Sequence, residues 1–154
     1  MTNPSKVENL NTQPVAEALK PVLADSYALY LKTQNYHWNV TGPHFRSLHE
    51  LFEEQYTDLA AAIDEVAERI RMLGEKAPGS FSAYQALTSI EEGDENVNAE
   101  AMVQQLAHDQ TVVIGGLKQA LKAAQEAEDE VTAGLIADRM SVHEKNAWML
   151  NSSI

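Results

Sequence analysis

Apolar residues recur every three or four positions along most of this chain, in long runs that predict helices. The first run begins at Pro14 or Val15 and continues to Asn39, with Val15, Leu19, Val22, Leu23, Leu29 and Leu31 among its apolar positions. Pro14 suits a first helical turn. Pro21 should start, bend or break the helix, because it removes an interior backbone hydrogen bond. The second run, residues 46–73, spaces Leu48, Leu51, Phe52, Leu59, Ile63, Val66, Ile70 and Leu73 along one stripe, and Gly74 is a natural C-terminal stop. A third helix is predicted over 99–126, with Met102, Leu106, Val113, Leu117 and Leu121 inward. Gly115 and Gly116 weaken it by about 1 kcal/mol each relative to alanine. A fourth covers 131–150. Between the second and third, residues 82–87 predict a short helix and residues 91–96 a solvated acidic loop.

There is no internal repeat and no strand-like alternation. Four long helices with one long connection, itself carrying a short extra helix between helices two and three, read as an all-α, ferritin-like four-helix bundle. Residues 1–13 are polar and are expected to form a flexible N-terminal tail ahead of a single bundle domain over 14–154. The chain has 154 residues, 44% of them hydrophobic, which is enough for one core. No run of about eighteen apolar residues spans a membrane, and the first residues lack the apolar core of a secretory signal. The absence of cysteine excludes disulfides and thiolate metal sites and is compatible with the cytoplasm, the expected location. With 23 Asp+Glu against 11 Lys+Arg, the formal charge of -12 argues against a broad nucleic-acid footprint and favours attraction of cations.

Residues 36–74 concentrate the chemistry, with His37, His49, Glu53, Asp64 and Glu68. His49 and Glu53 are four apart, as are Asp64 and Glu68, so each pair shares a helix face. Mixed imidazole and carboxylate ligands suit a borderline divalent metal such as iron. Glu53 and Asp64 are separated by roughly 16 Å along a helix, so one metal cannot reach both pairs on a single straight segment. Two copies of the helix, antiparallel across a two-fold axis near Asp58, bring the His49/Glu53 end of one copy to the Asp64/Glu68 end of the other and create two equivalent sites. His37 lies about as far before the turn at 41–43 as His49 lies after it, so a helical hairpin joins the two imidazoles. A bundle with its two-metal site inside one subunit uses Glu-x-x-His pairs. Here the residues three before the five histidines are Gln34, Thr41, Arg46, Gln105 and Met140, so that arrangement is missing. His44 reads as a surface residue on the turn, His108 and His143 as structural or solvent-facing, and Trp148 as a packing residue.

The block HWNVTGPHFRSLHELFEEQY, followed by IDEVAERIRMLG, resembles the Dps family, the DNA-binding proteins of starved cells or mini-ferritins. Helix order, the short linker helix and the Glu144-Lys145-x-x-Trp148 element agree with it. The resemblance implies a hollow dodecamer that oxidises Fe(II) at two-fold interfaces, with hydrogen peroxide or more slowly with dioxygen, stores ferric mineral and protects DNA. It implies two irons per site, held by His37, His49 and Glu53 of one subunit with Asp64 and Glu68 of its partner. Glu53 departs from the Asp that many members carry, which bears on the second iron position. Trp38 is a possible electron donor, or else an aromatic anchor in the interface. Glu128, Asp129, Glu130 and Asp138 are the pore candidates for iron passage, with helix-start solvation as the competing explanation. Members that condense DNA often use a basic tail. This chain offers only Lys6 before Lys20 and no basic residue after Asn151, so direct DNA binding is expected to be weak or absent. The alternative reading is a nucleoid DNA-compacting protein with incidental metal affinity.

Overall fold

The computed structural model describes residues 12–154. They form α1 (Thr12–Asn39), α2 (Phe45–Met72), α3 (Phe81–Leu87), α4 (Ala99–Glu126) and α5 (Glu130–Asn151). Most of the predicted tail lies outside the described residues. Thr12 and Gln13 belong to α1, with Thr12 already buried, so the helix begins earlier than the apolar pattern indicates.

Of the expected outcomes at Pro21, a start or a break does not occur, and α1 runs through it for 28 residues. Interior proline costs about 3 kcal/mol. Leu19, Val22 and Leu23 around it are essentially fully buried, and each such burial contributes about 1.5–3 kcal/mol. Packing on both sides of the proline outweighs the lost hydrogen bond. Gly115 and Gly116 likewise leave α4 intact. A Cβ on Gly116 would lie 3.7 Å from Val22 and 3.5 Å from the Asp25 carboxylate, so this glycine marks the close approach of α4 to α1.

The helices pack as two hairpins, α1 with α2 and α4 with α5, joined mainly where α1 meets α4. The lighter α2–α5 seam is crossed by ion pairs: Arg69 with Asp129 at 3.1 Å and Arg139 with Asp58 at 2.9 Å. The acidic connection exposes its side chains but has a pinned backbone. Thr88 Oγ1 and Ser89 N donate to Asp25 at 2.7 and 2.8 Å, Ile90 is buried, and Asp94 N donates to the Tyr36 hydroxyl at 3.2 Å. Among the described residues, no helix is long and apolar enough to cross a membrane.

Two helices end in the same way with different residues. After α2, Gly74 N bonds Arg71 O, Glu75 N bonds Ile70 O, and Gly74 adopts φ 95°. After α4, Glu128 N bonds Gln125 O, Asp129 N bonds Ala124 O, and Glu128 takes φ 57°. Both are Schellman endings. The second places a glutamate where glycine is ordinarily favoured, at a cost of about 1–2 kcal/mol.

Candidate metal site

The turn between α1 and α2 sets the site. Gly42 has φ 112°, and a Cβ there would meet nothing within 4 Å, so the backbone conformation alone selects glycine. Phe45 N closes the turn on Gly42 O at 3.1 Å. This folds the last turn of α1 against the start of α2 and stacks the His37 and His49 rings with centroids 3.8 Å apart and planes at 12°. Each imidazole reaches the other's backbone: His37 Nδ1 to His49 O at 2.7 Å, and His49 Nδ1 to His37 O at 2.7 Å. A carbonyl oxygen only accepts, so both Nδ1 atoms carry protons. In the neutral imidazoles the lone pairs are then on Nε2, the tautomer a metal ligand needs. Phe45 covers the far face of His49 at 4.9 Å, and the Tyr56 ring meets His37 edge-on at 5.2 Å.

Glu53 is exposed one helical turn beyond His49. Asp64 and Glu68 are exposed farther along the same helix. A hydrogen bond shared with Asp64, and the repulsion of its charge, hold the Glu68 carboxyl above the usual carboxylate range. Two carboxylates this close repel each other when both are charged, so a cation placed between them is favoured. The chain thus brings His37 to His49 and Asp64 to Glu68, and it does not bring the two pairs together. Among the described residues, no group of three or more metal-ligating side chains forms within one chain.

The ferritin-like domain family matches residues 16–154. The chain is 40% identical over 138 residues to DNA protection during starvation protein 2 of Bacillus anthracis, covering 90% of this chain and 94% of that one. Its fold superposes on the Dps protein of Vibrio cholerae with a TM-score of 0.90 and 35% identity, covering 99% and 98% of the two chains. That protein is described as a member of a broad superfamily of ferritin-like diiron-carboxylate proteins. The Dps structure from Bacillus brevis gives 0.89 and 36%, with the same coverage.

The chain belongs to the Dps family of the ferritin-like superfamily.

Other singled-out residues of this Dps chain fall in different places. Glu128, Glu130 and Asp138 are exposed around the α4–α5 turn and on α5. Asp129 is not available to a pore. It is 3% exposed, accepts from Thr132 N at 3.0 Å as the cap of α5, and pairs with Arg69. Its carboxylate is therefore spent on starting α5 and pairing with Arg69, as the helix-start explanation has it, while its backbone N–H closes α4 on Ala124 O. Trp38 is 60% exposed and lines a groove with Leu31, Asn35 and Glu92, while the rings of His37 and His49 meet each other, Tyr56 and Phe45. Trp148 is 66% exposed, so it does not pack into its own chain's core as expected. His44 and His108 face solvent.

His143 is buried, and both its nitrogens are engaged: Nε2 with Arg139 at 3.1 Å and Nδ1 with Gln110 Oε1 at 2.8 Å. A guanidinium only donates, so Nε2 accepts and Nδ1–H donates to the amide oxygen. Burial, and then the Arg139 charge, push its pKa down to about 3. Sequence reasoning missed this network, and also Tyr56. The latter had a signal, since positions 49, 53 and 56 lie on one helical stripe.

Proposed function

We propose that this chain oxidises Fe(II) at sites shared between two subunits and stores the ferric product inside a closed homo-oligomer, a dodecamer. The observation that carries the reading is the reciprocal hydrogen bonding of His37 and His49, which turns both Nε2 atoms into unspent ligands at one end of α2. The exposed Asp64/Glu68 pair at the other end concentrates negative charge on one helix face, which favours a cation there. An antiparallel two-fold pairing of α2 near Asp58 completes each half with the other.

In this arrangement Asp64, Glu68 and His37 hold one iron firmly. His49 and Glu53 hold the second more loosely and leave room for the oxidant. Each Fe(II) yields one electron and hydrogen peroxide takes two with two protons, so paired irons give two ferric ions and two waters without releasing hydroxyl radical. Dioxygen serves as the slower oxidant. Protection of DNA follows from removing iron and peroxide together. Glu128, Glu130 and Asp138 are the remaining acids for a cation passage into the shell. Glu128 keeps its carboxylate in a strained backbone conformation, the kind of exception that marks functional positions.

Stopped-flow Fe(II) oxidation with each oxidant tests the site. The Asp64→Ala/Glu68→Ala variant should lose the fast phase with assembly size unchanged, and an undiminished fast phase contradicts the assignment. A net charge of -12 predicts no direct DNA retardation at salt near about 150 mM. A robust gel shift there without added metal favours a nucleoid-binding role instead.

A further inference from the structure

Four of the chain's five tyrosines form one line of rings that starts on His37. The Tyr56 ring meets His37 at 5.2 Å, Tyr30 meets Tyr56 at 5.8 Å, Tyr27 meets Tyr30 at 5.9 Å, and Tyr84 stacks on Tyr27 at 4.9 Å. The line crosses from α2 to α1 and then to α3, and ends at a half-buried phenol whose hydroxyl donates to Pro78 O at 2.7 Å. Packing explains aromatic rings at these positions. It does not by itself explain an unbroken series of phenols, the oxidisable ring type, running from a ligand imidazole to the linker helix.

We infer that Tyr56, Tyr30, Tyr27 and Tyr84 form an electron relay that supplies a reducing equivalent to the His37/His49 site when it holds one iron instead of two. The inference rests on the proposed iron site. With a single Fe(II), hydrogen peroxide receives one electron from the metal and lacks the second. Tyr56 gives that electron and its phenolic proton. With one further proton from water, the products are Fe(III), a neutral tyrosyl radical and two waters. The radical then moves outward, each phenol losing an electron and a proton to its oxidised neighbour, until the net loss rests on Tyr84. There it is open to small reductants. Near-contact ring spacing makes each hop short, and a phenylalanine in the series removes a stop that can be oxidised at comparable potential.

Two arms test the relay, one without iron. The chain has no cysteine, so Glu53→Cys carries a single photo-oxidant beside His49. Flash excitation of the labelled, iron-free assembly should give a tyrosyl radical and subsequent oxidation products on Tyr84 or Tyr27, read by electron paramagnetic resonance and peptide mass spectrometry. Adding Tyr56→Phe, which preserves the ring, should reduce both several-fold. Equal radical yield with Tyr56→Phe, or no radical on this series, overturns the relay. In the second arm, unlabelled protein receives one Fe(II) per site and then peroxide. Tyr56→Phe should release several-fold more spin-trapped hydroxyl radical than wild type, with the two behaving alike at two Fe(II) per site. Equal trapping at one iron overturns the protective role. Wild-type protein that fails to oxidise Fe(II) at all contradicts the iron site, and the iron-free arm then still decides the relay by itself.

Discussion

His37 and His49 at the hairpin, and His143 in the bundle interior, are all ordered imidazoles with defined partners, yet they are suited to opposite tasks. The first two each spend Nδ1 on a carbonyl and keep Nε2 free. His143 spends Nδ1 on Gln110 and Nε2 on Arg139. Burial and residue type do not separate His37 from His143, since they are 7% and 1% exposed. The partner of the second nitrogen separates them. An Arg guanidinium over Nε2 both blocks coordination and repels a cation, whereas a free Nε2 leaves a lone pair available to one.

The largest effect that sharpens this contrast is the loss of Arg139. Arg139→Met strips the partner from Asp58 and from His143 Nε2. Breaking a buried pair costs about 3–5 kcal/mol, and Asp58 is 40% exposed, so a loss of about 2–3 kcal/mol is expected in denaturant unfolding. A loss below experimental error would mean that the interior network does not hold the α2–α5 seam.

The next effect is in pH. In the folded chain His143 stays neutral until about pH 3, against an ordinary value of 6.5. Below about pH 6.5 the unfolded chain takes up a proton that the folded chain refuses. Stability therefore falls as pH drops through this window, by about 1.4 kcal/mol per pH unit from this one group. His143→Gln should show a shallower acid slope than wild type between pH 6 and 4, and identical slopes would contradict the buried neutral imidazole.

The smallest effect concerns the two Schellman endings. Glu128→Gly gives α4 the residue that α2 already has at Gly74, and should stabilise the chain by about 1 kcal/mol in thermal unfolding. Under the proposed function the same change slows iron uptake into the shell. Stabilisation with unaltered uptake would remove Glu128 from the passage.

Much of the architecture was legible because helix periodicity and punctuation agree. Gly74 ends α2, and the short linker helix forms one residue before its predicted start, capped by Ser80. The hairpin that unites His37 and His49 could be placed from the 41–43 turn alone. At Pro21 the sequence leaves start, bend and break open, because local propensity carries no information about Leu19, Val22 and Leu23 being buried on both sides. Asp129 keeps its pore and helix-start readings side by side because an acid at a helix start looks the same in sequence whether it faces solvent or Arg69. The reciprocal imidazole bonds and the Arg139–His143–Gln110 chain join residues 12, 4 and 33 positions apart. Only the folded geometry determines which nitrogen meets which partner.

The central claim, that neither half of the site works without a second subunit, is tested most directly by complementation. His37→Ala/His49→Ala subunits and Asp64→Ala/Glu68→Ala subunits should each be inactive alone. Co-assembled in equal amounts, with mixing verified by native mass spectrometry, half of the two-fold pairs are mixed, and each contains one intact site out of two. Such assemblies should recover about a quarter of the wild-type rate of Fe(II) oxidation. No recovery in verified mixed assemblies would contradict the claim.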